Sequence, residues 1–222
     1  MTRRAASSKR RGSKILVFGE DENDRQSLKT LIEALCPGAV GRVETRRQPL
    51  VLIKGRPQAE SRTQAEKIAA VIRATAVRND VTASFLHEDC DGLESEHEAI
   101  CRRIEIELRA AECPGEVHAV VPAWEIEAWW LLWPEVFPQV NRTWKLPKKY
   151  ETCSTGSISN AKEHLRQELR KGQSGKHDYR ESDSVLIANQ IKARGLAKAP
   201  TKGRNRSYDR FRESVKRVCD AL

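Results

Sequence analysis

Short apolar runs alternate with helical patterns over the first 133 residues, and this alternation constrains the fold more than any other feature of the chain. Each run has the length of a buried strand. The segments between them space their apolar residues three and four apart, as amphipathic helices do. The runs occupy residues 15–18, 81–86 and 117–121, and the helical patterns cover 28–35, 65–76 and 94–111. This order predicts an α/β fold with a mostly parallel sheet.

The sequence leaves the position of a second strand open. Val40 and Val43 indicate a short strand, and residues 49–53 form either a strand or part of a loop. The turn before them is clearer, because Cys36-Pro37-Gly38 must end the first helix. We therefore expect a sheet of four strands flanked by helices.

The rest of the chain predicts further helices. Residues 124–133 are very apolar and predict a deeply packed helix, whereas 141–157 have the composition of a loop. Three more helices are predicted at 159–171, 183–194 and 206–220. We accordingly divide the chain into a basic flexible arm (1–13), an α/β core (14–140), and a loop with C-terminal helices packed on that core (141–222).

Positive charge is concentrated near the two termini. The chain has a net charge of +9, six Lys or Arg lie within residues 1–14, and ten lie within residues 192–217. The remainder is mildly acidic. Basic ends beside an acidic interior suit a protein that binds a polyanion such as nucleic acid, although such tails also serve solubility alone.

The spacing of the cysteines and histidines does not indicate a zinc site. The six cysteines include no C-x-x-C pair and accompany only five histidines. No apolar run approaches the roughly 20 residues that cross a bilayer, and the N-terminus lacks the apolar stretch of a signal peptide. We expect a cytoplasmic protein with reduced thiols and no membrane association.

Acidic clusters follow two of the predicted strands. Residues 20–22 come directly after the first strand, and residues 88–91 follow the third. The carboxyl ends of parallel strands meet at one edge of a sheet, so the clusters can meet. Gly92 lets the chain turn after Asp89-Cys90-Asp91, so that both aspartates can reach one ion. Such oxygen ligands favour Mg²⁺, with Mn²⁺ as a substitute.

These motifs resemble the Toprim family, which includes topoisomerases, bacterial primases and the overcoming-lysogenization-defect nucleases. A strand ending in Gly19 with acids beyond it, then a strand ending in D-x-D-G, is the family pattern. Residues 122–129, PAWEIEAW, are also similar to a P-x-x-E-x-E-x-W signature of small bacterial Toprim-like proteins, some of them encoded beside ATPases in phage-defence clusters. The resemblance covers residues 14–133 and implies a Toprim-like α/β fold with a helical C-terminal extension.

The resemblance also implies a set of site residues. The family binds magnesium with a glutamate of the first motif and the D-x-D aspartates, here Asp89 and Asp91. Phe18 stands where the family glutamate normally precedes the glycine, so the first ligand is either Glu20 or Glu22, and we favour Glu20.

Two further acids and several neighbours are secondary candidates. Glu125 and Glu127 would bind a second ion or act as general base, or else only stabilise a helix N-terminus. Lys54 would face phosphate, and His87 would contact metal or phosphate, although a lone histidine more often packs. Weaker assignments are a core position for Cys90 and for at least three tryptophans, and an approach to the acidic edge by Lys162, Lys176 and Arg180.

Three functions compete at this point. The resemblance favours a Mg²⁺-dependent nuclease acting on DNA or RNA, an anti-phage effector with an ATPase partner and a capacity to form homo-oligomers. The second is a noncatalytic partner subunit that binds nucleic acid or an acidic protein. A receiver of the response-regulator type is disfavoured, because residues 117–133 contain no lysine. Tyr150, Tyr179 and Tyr208 lie far from the core motifs, which disfavours topoisomerase chemistry.

Overall fold

The computed structural model describes residues 12–19, 21–47, 54–171 and 178–222. The described residues form one sheet of four strands in the order β2-β1-β3-β4, and every neighbouring pair is parallel. The strands are β1 (Ser13–Phe18), β2 (Val43–Arg46), β3 (Asp80–His87) and β4 (Glu116–Val120). The predicted α/β class and parallel sheet are confirmed.

Helices cover the sheet and form the C-terminal part of the chain. In order they are α1 (Glu22–Leu35), α2 (Gln58–Ala76), α3 (Glu94–Ala110), α4 (Glu127–Trp130), α5 (Phe137–Val140), α6 (Ala161–Arg170), α7 (Ser182–Ala193) and α8 (Arg206–Asp220). Short 3-10 turns lie at Pro37–Ala39, Pro134–Val136, Lys148–Glu151 and Thr155–Ser157. No described helix is long and apolar enough to cross a membrane.

The sheet is buried on both faces because β1 alternates between two hydrophobic clusters. Ile15 and Val17 belong to a cluster that includes residues of α1, α7 and α8. Leu16 and Phe18 belong to a second cluster with residues of α2 and α3. Successive side chains of a strand point to opposite faces, so an uninterrupted apolar run is what a doubly covered strand requires.

The short second strand is β2, which pairs with β1 from Ile15↔Val43 to Phe18↔Arg46. Val40 is not part of it. This residue follows the Pro37–Ala39 turn and is exposed, because Pro37 and the turn reverse the chain before extended structure resumes at Val43. Residues 49–53, the other candidate strand, lie outside the described residues.

The predicted helix over 124–133 is wrong in length. Trp124 has φ 60°, a left-handed conformation that does not continue a helix, and α4 is regular only over four residues. Deep packing of this segment is nevertheless confirmed, because Trp129, Trp130 and Trp133 are buried. Hydrophobicity predicted the burial of these residues correctly, but it carries no information about the backbone turn at Trp124.

The C-terminal helices share one hydrophobic core with the sheet. The cluster that contains Ile15 and Val17 also contains Leu165 of α6, Ile187 of α7 and Phe211 of α8. Asn205 begins α8 as its N-cap, with its side chain accepting a hydrogen bond from the Tyr208 backbone N–H. These helices are therefore fixed in place by packing and can contribute side chains to a site at the sheet edge.

A disulfide joins Cys36, directly after α1, to Cys219 near the end of α8, with the two Cα atoms 5.6 Å apart. The expectation that all cysteines are reduced is therefore wrong for this pair. Cys90, Cys101, Cys113 and Cys153 are free thiols. The two bonded residues are 183 positions apart, and only the packing of α8 against α1 brings them together.

Candidate functional site

A cavity of about 420 Å³ lies beyond the carboxyl ends of the strands, where the α1 N-terminus, the loop after β3 and the C-terminal helices meet. We call it the acidic cavity. Carboxylates predominate among the residues that line it, which are Asp21, Asp24, Asp89, Glu127, Lys162, Glu181 and Ser184. The parallel sheet produces this arrangement because it brings the segments after β1 and β3 to the same edge.

The first strand contributes Asp21 and Asp24. Asp21 is the N-cap of α1, and its Oδ1 accepts a 2.9 Å hydrogen bond from the Asp24 backbone N–H. Asp21 thus has a structural duty at the helix end, where negative charge is also favoured by the helix dipole. The Oδ2 of Asp24 lies 3.7 Å from His87 Nδ1.

His87 ends β3 and lies between two carboxylates. Its Nδ1 faces Asp24, and its Nε2 lies 3.4 Å from Asp89 Oδ1. The imidazole is buried. It therefore lies between the Asp24 and Asp89 carboxylates, an arrangement that the sequence did not predict.

Asp89 and Asp91 do not enter the same cavity. Asp89 lines the acidic cavity, and its Oδ1 is buried without a hydrogen-bond partner among the described residues. The side chain of Asp91 is 76% exposed, and its Oδ2 pairs with Lys54 Nζ at 3.0 Å. The cause is the backbone: Asp91 has φ 46°, which turns its side chain away, and its N–H donates to the Trp124 carbonyl.

The structure places one of the two first-motif candidates, Glu22, outside the lining of the acidic cavity. Glu20 lies outside the described residues. Glu22 is exposed and accepts hydrogen bonds from Gln26 at 2.6 Å and from Arg25 at 2.7 Å, and these two bonds lower its pKa. Arg25 is itself anchored by donating to the Gly19 carbonyl. Glu22 thus stabilises the first turn of α1 and is not among the residues that line the cavity.

Glu125 and Glu127 have different surroundings. Glu127 is only 3% exposed and lines the acidic cavity, and burial raises its pKa to about 8. Glu125 reaches across to α6 instead. Its Oε2 accepts a 2.9 Å hydrogen bond from the Lys162 backbone N–H, and its Oε1 lies 3.2 Å from Lys162 Nζ. Glu125 therefore holds α6 against the core.

The C-terminal part of the chain adds groups in and beside the cavity that the motifs did not reveal. Tyr179 is buried, donates a 2.9 Å hydrogen bond to Glu127 Oε1, and bonds Ser184 Oγ at 2.6 Å. Lys162, as predicted, reaches the acidic edge, where its Nζ lies 3.0 Å from Glu181 Oε1. Arg180 is exposed, and Lys176 lies outside the described residues. No sequence spacing signals the Tyr179–Glu127 contact, because it joins residues 52 positions apart.

The donor chemistry fits a hard divalent cation, although the described residues do not form a complete ligand set. No group of three or more His, Cys, Asp or Glu side chains in ranges 12–19, 21–47, 54–171 and 178–222 is spaced to hold a metal ion. Asp89 Oδ1 is nevertheless a buried acceptor without a hydrogen bond among the described residues, and the nitrogen facing it, His87 Nε2, is 3.4 Å away. A cation satisfies an oxygen of this kind.

Compared with protein-family models, with curated proteins and with solved structures, the chain matches none. The chemistry of the acidic cavity and the motifs of the sequence are therefore the grounds for a functional proposal.

The raised pKa of Glu127 predicts a pH-dependent stability. The unfolded chain releases this proton near pH 4.5, whereas the folded protein keeps it up to about pH 8. Between these values the unfolded state binds fewer protons, so the free energy of unfolding falls as pH rises and levels off above pH 8. Urea unfolding of wild type and of Glu127→Gln across this range measures the effect. The free energy of unfolding of wild type minus that of the variant should decrease as pH rises, because glutamine does not titrate.

A matched control is Glu135→Gln, which removes an exposed carboxylate close by in the chain. This variant should keep the wild-type pH profile. Identical profiles for wild type and Glu127→Gln would show that Glu127 is charged in the folded protein and that its surroundings compensate for burial.

Proposed function

We propose that this chain is a Toprim-like, Mg²⁺-dependent nuclease that hydrolyses phosphodiester bonds of DNA or RNA, with Mn²⁺ able to substitute. The observation that carries the proposal is the buried Asp89 Oδ1, which has no hydrogen bond among the described residues and has His87 Nε2 3.4 Å away. Asp89 itself lines the acidic cavity. An unsatisfied buried carboxylate oxygen is costly, and a bound cation would remove that cost. The four-stranded parallel sheet, with acids after β1 and β3, agrees with the family pattern.

The candidate ligands are oxygen atoms from two strand ends. Asp89 would hold the ion together with Glu20 and the acids that begin α1, Asp21 and Asp24. When bound, magnesium supplies positive charge for a phosphate and lowers the pKa of a coordinated water. Glu22 and Asp91 are weaker candidates, because one is bonded to Gln26 and Arg25 and the other to Lys54.

The other groups of the cavity have complementary roles in this proposal. Glu127 keeps its proton at neutral pH, so it can donate that proton to the leaving oxygen of a cut strand. Tyr179 fixes the Glu127 carboxyl by donating to its Oε1. Lys162, held between Glu125 and Glu181, offers an ammonium group to the negative charge of phosphate.

Cleavage assays with and without metal test the proposal. The full chain is incubated with DNA, RNA and tRNA in Mg²⁺, in Mn²⁺ and in EDTA, and the products are separated on denaturing gels. We expect cleavage of at least one substrate in either metal and none in EDTA. Intact substrates under every condition, or equal cleavage in EDTA, would contradict the nuclease proposal.

The second candidate is a noncatalytic partner subunit that binds nucleic acid. The Lys54–Asp91 ion pair favours it, because the Lys54 ammonium group binds the carboxylate that corresponds to a metal ligand of the family. In this case binding should weaken steeply with salt and after removal of residues 1–13, and should survive Asp91→Asn without any cleavage. The anti-phage context, an ATPase partner and homo-oligomerisation remain proposals that rest on the resemblance alone.

A further inference from the structure

Four arginines line a second cavity, of about 550 Å³, at the amino end of β4. We call it the arginine cleft, formed by Arg102 and Arg109 of α3 and by Arg210 and Arg217 of α8. Its floor includes Glu116, the first residue of β4. Because all four strands are parallel, the arginine cleft lies at the amino ends of the strands and the acidic cavity lies at their carboxyl ends.

A single carboxylate holds two of the arginines side by side. Glu105 Oε1 lies 2.8 Å from Arg210 Nη2, and Glu105 Oε2 lies 3.3 Å from Arg109 Nη2. The same carboxylate is fixed by a 3.2 Å hydrogen bond from the Ala119 backbone N–H. One negative charge thus faces two positively charged guanidinium groups, so the Glu105–Arg109–Arg210 group has a net positive charge.

The other two arginines are weakly engaged. Arg217 is exposed, donates only a 3.4 Å hydrogen bond to Ser214 Oγ, and forms no salt bridge within the described part of the chain. Arg102 pairs with Glu98 at 3.6 Å on the helix surface, where both side chains are more than half exposed. Exposed pairs of this kind are worth about 0–1 kcal/mol and yield to a stronger partner.

His118 does not add to the charge of the cleft at neutral pH. Burial lowers its pKa, and Arg217 lowers it further, against the opposing effect of Glu116. The cleft therefore combines four arginines with the carboxylates of Glu105 and Glu116, and Glu98 pairs with Arg102 at its surface. Four guanidinium groups against three carboxylates leave a positive excess, and the exposed Arg217 has no salt bridge among the described residues.

We propose that the arginine cleft binds phosphate groups of a nucleic-acid strand, away from the acidic cavity. The planar guanidinium fork matches a phosphate bidentately and is always charged. Four guanidinium groups in one cleft suit a polymer with repeated phosphates. Such binding requires neither metal nor hydrolysis, and the inference rests on the nucleic-acid binding of the proposed function, for which it names the surface.

Strand binding by the double variant Arg102→Gln/Arg217→Gln tests this proposal. Fluorescence anisotropy of a labelled single-stranded oligonucleotide is measured in EDTA over a series of salt concentrations. Loss of two phosphate contacts should weaken binding about tenfold and flatten the slope of log K against log salt by about 1.4. The matched control, Arg142→Gln/Arg194→Gln, removes two exposed arginines outside the cleft and should bind within about twofold of wild type.

Four outcomes would overturn the proposal. The first is wild-type affinity in the cleft variant, and the second is an equal loss of affinity in the control variant. The third is displacement of the labelled oligonucleotide by poly-glutamate as effectively as by unlabelled oligonucleotide. The fourth is equal displacement by a mononucleotide at the same phosphate concentration. Both cleft positions are exposed, so thermal unfolding of the variants should match wild type. Because EDTA abolishes metal-dependent chemistry, a failure here is distinct from a failure of the nuclease proposal.

Discussion

Replacing Asp89 by Asn is expected to lower metal-dependent cleavage by about a hundredfold or more, since even outer-shell partners of metal ligands are worth about 10–100-fold. The amide keeps the shape of the side chain but loses the negative charge that would hold the cation. Initial rates of cleavage in Mg²⁺, measured for wild type and Asp89→Asn at equal protein concentration, provide the test.

Asp91→Asn is the informative comparison, because it makes the same chemical change two residues away. The structure places the Asp91 carboxylate on Lys54 and outside the residues that line the acidic cavity, so we expect a much smaller loss than for Asp89→Asn. Equal loss in both variants would mean that Asp91 leaves Lys54 and joins the ion when metal binds. Unchanged cleavage in Asp89→Asn would contradict the metal site itself.

Trp129→Ala should lower the free energy of unfolding by about 3–5 kcal/mol, the cost of emptying a large buried site. Trp129 is fully buried, and its ring centroid lies 5.1 Å from that of Phe211 and 5.3 Å from that of Tyr208. Its Nε1 also donates a 2.9 Å hydrogen bond to Ser207 Oγ, at the start of α8. Truncation therefore creates a cavity where α4 packs on α8 and removes a buried hydrogen bond. Urea unfolding followed by circular dichroism measures the loss.

The control for Trp129→Ala is Ile106→Ala, which truncates a side chain that is 60% exposed on α3. This change should alter the free energy of unfolding by less than about 0.5 kcal/mol. A loss below about 1 kcal/mol for Trp129→Ala would indicate that α8 does not depend on the aromatic cluster for its position.

The sequence predicted the sheet because local patterns determine it. Residues 15–18 are apolar without interruption, and both faces of β1 are indeed covered. The last helix was predicted at 206–220 and lies at those residues, since its apolar positions repeat with helical spacing and Asn205 provides a cap. Both features arise from neighbours in the chain, which is where sequence patterns carry their information.

The candidate site was only partly predictable because its decisive contacts are long-range. The acidic edge and the approach of Lys162 followed from topology and charge. The separation of Asp89 from Asp91 depends on a left-handed residue bonded to Trp124, and the raised pKa of Glu127 depends on helices that fold over it. The Cys36–Cys219 disulfide belongs to the same class, since helix packing alone joins these residues.

The Cys36–Cys219 bond also turns most of the chain into a covalent ring. Every residue from 37 to 218 lies inside this ring, whereas β1 and α1 lie outside it on an open N-terminal segment. The acidic cavity therefore draws Asp21 and Asp24 from the open segment and Asp89, Glu127 and Lys162 from the ring. A protease that cuts one bond inside the ring would open it without releasing a fragment, so the nicked protein would remain a single molecule until the disulfide is reduced.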